Sequence, residues 1–170
     1  MVNLDQKIEK VINFLEKHKE DRAVMAHLKR GLSEATQSRA WPHMARAGCR
    51  LENPRERGIY AVVMGTYAKH PCVIDKGNIG DTLRGVVDGK GSQEGLATFD
   101  QRFRRVLECD HAPEVCEFLP GVIHAAARTR NIQAVNYRQL FKDLWYWGEL
   151  TKLQWAGAYW TTPNKKEEDI

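Results

Sequence analysis

Two arginines in the stretch FDQRFRRVLECD have a spacing that could bind phosphate groups. Read as an α-helix, the stretch and the turn before it place four apolar side chains on one stripe: Leu96, Phe99, Phe103 and Val106. Arg102 and Arg105 then lie side by side along one edge of that stripe, and Arg104 lies on the opposite edge. A guanidinium suits phosphate because it offers a planar fork of donors and stays protonated. The pattern therefore favours a helix that anchors itself in a core and presents two fixed cations.

The alternative for this helix is structural. Most charged helix faces are only solvated, and Arg102, Arg104 and Arg105 could simply pair with Asp100 and Glu108.

The remaining basic residues come one to three per predicted helix, near an end or a flank. If they share a surface, they could follow a phosphate backbone without reading bases, because these helices lack an array of side chains suited to groove readout. The predicted nucleic-acid-binding residues are Arg22, Lys29, Arg30, Arg55, Arg84, Arg102, Arg105, Arg128 and Arg130.

Catalytic and metal-binding chemistry has weaker candidates. Cys109, His111 and Cys116 are close in sequence, but their spacing matches no zinc pattern and a fourth ligand is missing. The chain has no GxxxxGK[ST] or GxGxxG motif, and its six histidines form no HxH or HExxH pattern. The sequence therefore predicts no enzyme activity, no metal and no cofactor.

Aromatic side chains near the C-terminus are a second possible binding feature, because aromatic rings can stack on single-stranded bases. Their helical spacing makes core packing the favoured interpretation, with Tyr146 and Trp160 most free to face outward. The residues concerned are Trp145, Tyr146, Trp147, Trp155, Tyr159 and Trp160.

Composition is that of a globular protein, with 42% hydrophobic and 28% charged residues in a chain of 170. The net charge of +4 is unevenly distributed: residues 21–58 carry eight Lys or Arg against four Asp or Glu. This basic segment indicates an anionic partner without requiring one. No apolar run is long enough to span a membrane and the N-terminal stretch is amphipathic, so we expect a cytoplasmic protein with four reduced cysteines.

Helix start signals recur along the chain, and no stretch alternates with a period of two. Asp21, Asn53 followed by Pro54, and Asn136 are the clearest predicted caps. We expect Trp41 and Leu153 to be buried. The predicted fold is all-α, with two small helical bundles joined by a flexible link at residues 89–95. The predicted domains are 1–90 and 91–165, followed by a frayed tail at 166–170.

The order of several segments resembles the small subunit of the type I-E CRISPR surveillance complex Cascade, the CasB family. The matching pieces are DRAVMAHLKRGL, ENPRERGIYAVVMGTYAKHP, IGDTLRGVV, QRF with the downstream LECD, NYRQLFKDLWYWG and WAGAYWTTPNK. Their order and spacing cover nearly the whole chain from about residue 20 to residue 165.

This resemblance implies a non-catalytic, all-α subunit in antiviral defence. Two copies would lie head-to-tail against the repeated backbone subunits and the large subunit. They would stabilise the R-loop by contacting the target strand paired with CRISPR RNA and by giving the displaced DNA strand a basic path. By position, the resemblance points to Lys29, Arg30, Arg55, Arg84 and Arg102.

Two departures from the family pattern weaken the expected patch. Glu108 and His111 flank Cys109 and Asp110 where a relative can place arginines, and Glu149 and Lys152 replace a dense basic run after WYWG. The alternative function is a helical adaptor whose basic face binds an acidic protein surface.

Overall fold

The computed structural model describes residues 3–88, 93–129 and 132–161, which form an all-α fold as predicted. These residues contain nine α-helices and one 3₁₀ helix at Glu34–Arg39. The α-helices are α1 Leu4–His18, α2 Arg22–Arg30, α3 Trp41–Arg46, α4 Pro54–Lys69, α5 Ile79–Asp88, α6 Gln93–Leu107, α7 Ala112–Arg128, α8 Tyr137–Trp145 and α9 Glu149–Trp160.

Side-chain caps begin three of these helices where the sequence predicts them. The Asp21 carboxylate accepts from the first-turn amides of α2, including that of Ala23 at 3.1 Å. Asn53 and Asn136 each accept from the amide three residues later, starting α4 and α8. Such caps satisfy amides that have no partner inside the helix, so they locate helix starts from local sequence alone.

Helix α4 lies at the centre of the fold. Its residues from Ile59 to Ala68 are buried on every face of the helix. Helices α1, α2, α3, α7 and α8 pack around it. A helix buried on all sides is apolar on all sides, which hides the amphipathic signal that usually identifies a core helix. The central element is therefore α4 rather than the arginine-bearing α6.

The buried apolar side chains form one cluster that draws on both predicted bundles. Helix α4 packs against α7 and α8, and α5 packs chiefly against α9, so helix contacts cross the predicted boundary. The division into two bundles is therefore not confirmed. Most of the predicted link at residues 89–95 lies outside the described residues, as does the predicted tail at 166–170.

The packing of α5 on α9 depends on a glycine. A Cβ atom added to Gly80 would lie only 2.2 Å from the backbone oxygen of Trp155, a distance that real Cβ atoms do not adopt. Asn78 caps α5 by accepting from the Gly80 amide at 2.8 Å and also donates to the Gln154 carbonyl at 3.3 Å. Because Gly80 has no side chain, the backbones of α5 and α9 can approach closely. The hydrogen bond from the Asn78 side chain to the Gln154 carbonyl then holds the two helices together.

Helix α7 is continuous from Ala112 to Arg128 although Pro120 lies inside it. Beyond it, an extended segment pairs with residues after α4 through one isolated parallel bridge between Val73 and Val135. The Tyr137 hydroxyl donates to the His70 carbonyl and the Thr82 hydroxyl donates to the Ala134 carbonyl. The first bond ties the start of α8 to the end of α4, and the second ties the segment before α8 to α5.

The aromatic side chains follow the sequence prediction with one exception. Trp155 and Tyr159 are buried, whereas Tyr146 and Trp160 are exposed as expected. Trp41, expected in the core, is 40% exposed, and its indole N–H donates to the Gln37 side chain at 3.4 Å. Leu153 was also expected to be buried and is 60% exposed. Both errors arise at short or terminal helices, where burial depends on neighbours that local spacing does not reveal.

No helix in the described part of the chain is both long enough and apolar enough to cross a membrane.

Candidate nucleic-acid interface

The predicted cations divide into two groups by their surroundings. Five are exposed on α2, α6 and α7, and none of them forms an ion pair with another described residue: Arg22, Lys29, Arg30, Arg102 and Arg128. The others are engaged with neighbours or lie outside the described residues. The first group retains its full capacity to bind an external anion.

The end of α2 presents Lys29 and Arg30 together. Cations are stabilised in a last turn by the partial negative charge of the helix C-terminus, so the position has a structural reason as well. Gly31 ends the helix, with its amide within 3.0 Å of the Leu28 carbonyl. The fold therefore holds both side chains at a fixed helix end.

Lys29 lines a cleft of about 280 Å³ where α2, α4 and α7 meet. We call it the α2–α4–α7 cleft. Its lining residues are Lys29, Leu32, Thr66, Lys69, His70, Pro120, Ile123, His124 and Ala127. Every ionisable side chain among them is basic, and they come from three separate helix segments.

Three of the basic cleft residues, Lys69, His70 and His124, were not predicted from the sequence. Lys69 ends α4 and His70 caps it just before Pro71, positions that sequence alone explains as a helix stop. His124 lies among the exposed residues of α7. Only the packing of α7 across α4 brings these side chains together with Lys29, so no local pattern could have found them.

Close packing of α2 on α4 shapes this cleft. A Cβ atom at Gly65 would lie 2.6 Å from the Leu32 side chain and 2.9 Å from the Leu28 carbonyl oxygen. Next to it, Thr66 is only 2% exposed, and its hydroxyl has no hydrogen-bond partner in the described structure. On the rim, Nε2 of His70 lies 3.2 Å from the Gln133 carbonyl oxygen, so that nitrogen is the donor.

Helix α6 separates its three arginines as the spacing predicted. Phe99, Phe103 and Val106 are buried. Arg104 forms the structural ion pair, with Nε 2.7 Å from Asp100, and stacks over the ring of Trp160 at 4.8 Å. The ion pair with Asp100 raises the pKa of the Arg104 guanidinium further.

The other edge of α6 stays open. Arg105 lies over the ring of Phe118 at 4.3 Å, a contact that fixes the guanidinium while leaving it exposed. Arg102 is exposed and has no ion pair among the described residues. The structural alternative therefore holds for Arg104, and the phosphate-binding interpretation remains open for Arg102 and Arg105.

Arg55 has a different environment from the one the sequence indicated. It is half-buried, and its guanidinium donates to the backbone carbonyls of Leu144, at 3.5 Å, and of Trp145. These carbonyls end α8 and would otherwise lack donors. Arg55 is therefore part of the packed structure, and its contact with nucleic acid stays a prediction.

Two predicted residues contribute little to the described surface. Arg84 on α5 is half-buried and interacts with a neighbour. Arg130 lies outside the described residues, so its place is not assigned.

A charged cluster lies at the start of α4, around Glu56. Glu56 is 1% exposed and accepts from Lys7 at 2.8 Å and from Arg50 Nε at 3.1 Å. Burial alone would raise the pKa of Glu56, but the hydrogen bonds from Lys7 and Arg50 outweigh it and hold the pKa below its ordinary value. The cluster joins α1, α4 and the preceding loop, so its role is structural.

Two cysteines and one buried histidine have pKa values that burial shifts away from their ordinary values. Burial raises the pKa of Cys109 and raises that of Cys116 to about 12, so both are poor nucleophiles. His43 is buried against His27, with ring nitrogens 3.0 Å apart, and burial followed by the nearby His27 lowers its pKa. No group of three His, Cys, Asp or Glu side chains that could hold a metal occurs among the described residues.

Fold and surface together define, within the described residues, an all-α protein whose main chemical feature is a set of exposed cations. The chain belongs to the family of CRISPR-associated protein Cse2, whose model matches residues 24–160. The match spans more than half of the chain and confirms the resemblance to the CasB family; membership implies a subunit of a Cascade complex. No curated protein and no solved structure is significantly similar to the chain.

Proposed function

We propose that this chain is a non-catalytic Cascade subunit that binds nucleic-acid backbone without sequence specificity and stabilises the R-loop. The observation that carries the proposal is the set of exposed cations on α2, α6 and α7 that form no ion pairs with described residues. Elsewhere on the surface the fold does pair cations, as in Arg104 with Asp100 and Lys152 with Asp110. Unpaired cations at fixed helix positions are what a backbone-binding surface requires.

Such a surface needs few contacts to matter. Pairing between guide RNA and target DNA supplies the sequence specificity, and the exchange of one duplex for the other is nearly balanced in free energy. A small number of phosphate contacts can then shift the balance toward the open R-loop. In this proposal the chain works in the cytoplasm beside the backbone and large subunits, with a second copy head-to-tail, contacting the target strand and the displaced strand.

A second candidate is a helical adaptor that binds an acidic partner protein. A separate surface for contact with another protein is available on the outer face of α9, where Leu150, Leu153 and Trp160 are exposed. Apolar side chains grouped on one exposed face are typical of protein contacts. The two functions are compatible on different surfaces, so the experiment must ask what the cations themselves bind.

Salt dependence separates the two. Binding of the isolated protein to single-stranded DNA should weaken with salt, and Arg30→Ala with Arg102→Ala should lower the slope of log K against log salt by about 1.4, roughly 0.7 for each lost phosphate contact. Arg138→Ala is the matched control, because Arg138 already pairs with Glu9. It should leave the slope unchanged. The adaptor function would be favoured if the protein did not bind DNA, or if the double substitution left the slope of log K against log salt unchanged.

A further inference from the structure

The α2–α4–α7 cleft brings two lysines and two histidines together, with no carboxylate among the described residues that line it. Lys29 and Lys69 reach it from the ends of two helices, and His70 and His124 complete its basic lining. Cations confined to one concave surface repel each other unless an anion lies between them. The charge of the cleft therefore favours the binding of an anion.

Helix dipoles explain only part of this arrangement. Lys29 and Lys69 each lie in the last turn of their own helix, where a cation is favourable. His124 has no such reason, because α7 continues to Arg128. Packing of α7 across α4 adds a third basic segment that helix stability does not require.

Thr66 gives an independent indication of a ligand. It lines the cleft, is 2% exposed, and its hydroxyl has no partner in the described structure. A buried hydroxyl without a hydrogen bond is costly and uncommon in folded proteins. An oxygen acceptor bound in the cleft would remove that cost.

The size and walls of the cleft restrict the ligand. Its volume of about 280 Å³ is slightly below the range of roughly 300–1,000 Å³ typical of small-molecule pockets. Leu32, Pro120 and Ile123 form apolar walls, which lower the local dielectric and strengthen the attraction of the lysines for an anion. A single phosphate group fits this combination of size and charge.

We propose that the α2–α4–α7 cleft seats one backbone phosphate of a nucleic-acid strand, shared by Lys29 and Lys69, with the Thr66 hydroxyl as a further donor. The proposal rests on the proposed function and adds to it a specific subsite that includes Lys69 and Thr66, which the sequence did not single out. It makes a quantitative claim: because the two lysines share one phosphate, their contributions to the salt dependence of binding cannot be independent.

The first test is a double-mutant cycle on binding to a short oligothymidylate. Lys29→Ala and Lys69→Ala should each weaken binding roughly tenfold at low salt, as expected for a charge-assisted contact. The double variant should lower the salt slope by about 0.7, corresponding to one phosphate. Lys142→Ala, which removes an exposed lysine of α8, should change neither quantity. A double variant that lowers the slope by about 1.4 would show two separate phosphates and overturn the shared seat.

Thr66→Val tests the hydroxyl without changing the shape of the side chain. Removing a buried group that lacks a partner should leave the protein at least as stable, whereas binding to oligothymidylate should weaken. Stability that falls while binding is unchanged would mean that the hydroxyl is structural and would remove it from the proposed site.

Two further results distinguish the possible failures. If the cleft variants bind like wild type while Arg30→Ala with Arg102→Ala still lowers the salt slope, the cleft proposal is wrong and the proposed function stands. If wild type shows no salt-dependent binding to oligothymidylate, the proposed function fails and the cleft proposal with it. Saturable binding of inorganic phosphate alone, lost in the lysine variants, would then identify a site for free phosphate.

Discussion

Arg55 on α4 donates to the backbone carbonyl of Trp145 at the end of α8, and its guanidinium carbon lies 5.6 Å from the centre of the Trp145 indole ring. The Arg55 side chain thus joins α4 to α8, through hydrogen bonds from its N–H groups and through contact of its planar guanidinium with the indole ring. This position matches the family segment ENPR, so a residue expected to bind nucleic acid is also part of the packed structure.

Arg55→Ala should therefore destabilise the fold, by about 1–3 kcal/mol, because it leaves α8 carbonyls without donors and removes the stacking contact. Arg55→Lys should restore only part of this loss, since an ammonium group cannot stack as a guanidinium does. Urea denaturation of both variants measures the effect. A wild-type midpoint for Arg55→Ala would show that the contacts carry no net free energy.

Glu56 predicts a specific loss of stability in acid. Its pKa is lowered in the folded state, so its contribution is fully present above the ordinary carboxyl value and is lost as the pH falls through the folded pKa. Glu56→Gln should lower the free energy of unfolding at pH 7 and make the remaining stability less sensitive to acid below about pH 4. Denaturation of wild type and variant across pH 3–7 would check this, and parallel curves would contradict it.

Asp143 predicts the opposite dependence. It is buried and accepts from Trp155 at 2.7 Å and from Gln139 at 2.8 Å; burial raises its pKa despite these bonds. A raised folded pKa means that stability falls as the pH rises through it. The stability of Asp143→Asn relative to wild type should therefore rise from pH 4 to pH 7, because the variant has no charge to bury. Thermal denaturation at pH 7 and pH 4 measures the change, and a constant difference would disprove it.

Gly80 and Gly157 offer a matched pair on the two helices that pack together. Gly80→Ala should destabilise the protein by roughly 1–3 kcal/mol, because its Cβ would overlap the Trp155 carbonyl oxygen. Gly157→Ala on α9 meets open space and should stabilise it by about 0.5–1 kcal/mol through helix propensity. Denaturation of the two variants measures both changes in the free energy of unfolding. Equal changes would show that the close approach of α5 and α9 is not required.

The sequence was informative wherever structure depends on a few neighbouring residues. Caps at Asp21 and Asn53 are local, and so is the division of arginines between the two edges of α6. Burial at Trp41 was mispredicted because it depends on what packs against a short helix.

Features that require several helices to meet were not predictable. Lys69 and His124 are far apart in sequence, and only the packing of α7 on α4 places them in one cleft. The role of Arg55 was hidden for the same reason, since its partners lie about ninety residues away. Charge alone indicates that a residue could bind an anion, but the fold decides whether it remains available.

R-loop lifetime in the assembled complex tests the central claim most directly. Arg30→Glu with Arg102→Glu reverses two exposed cations, whereas Lys10→Glu with Lys142→Glu reverses the same charge on α1 and α8 as a control. We predict that the first variant assembles with its partner subunits and guide RNA but shortens the R-loop lifetime on unrelated target sequences alike, and that the control does not. An unchanged lifetime would contradict the account, and failure of the first variant to assemble would identify these cations as a protein interface instead.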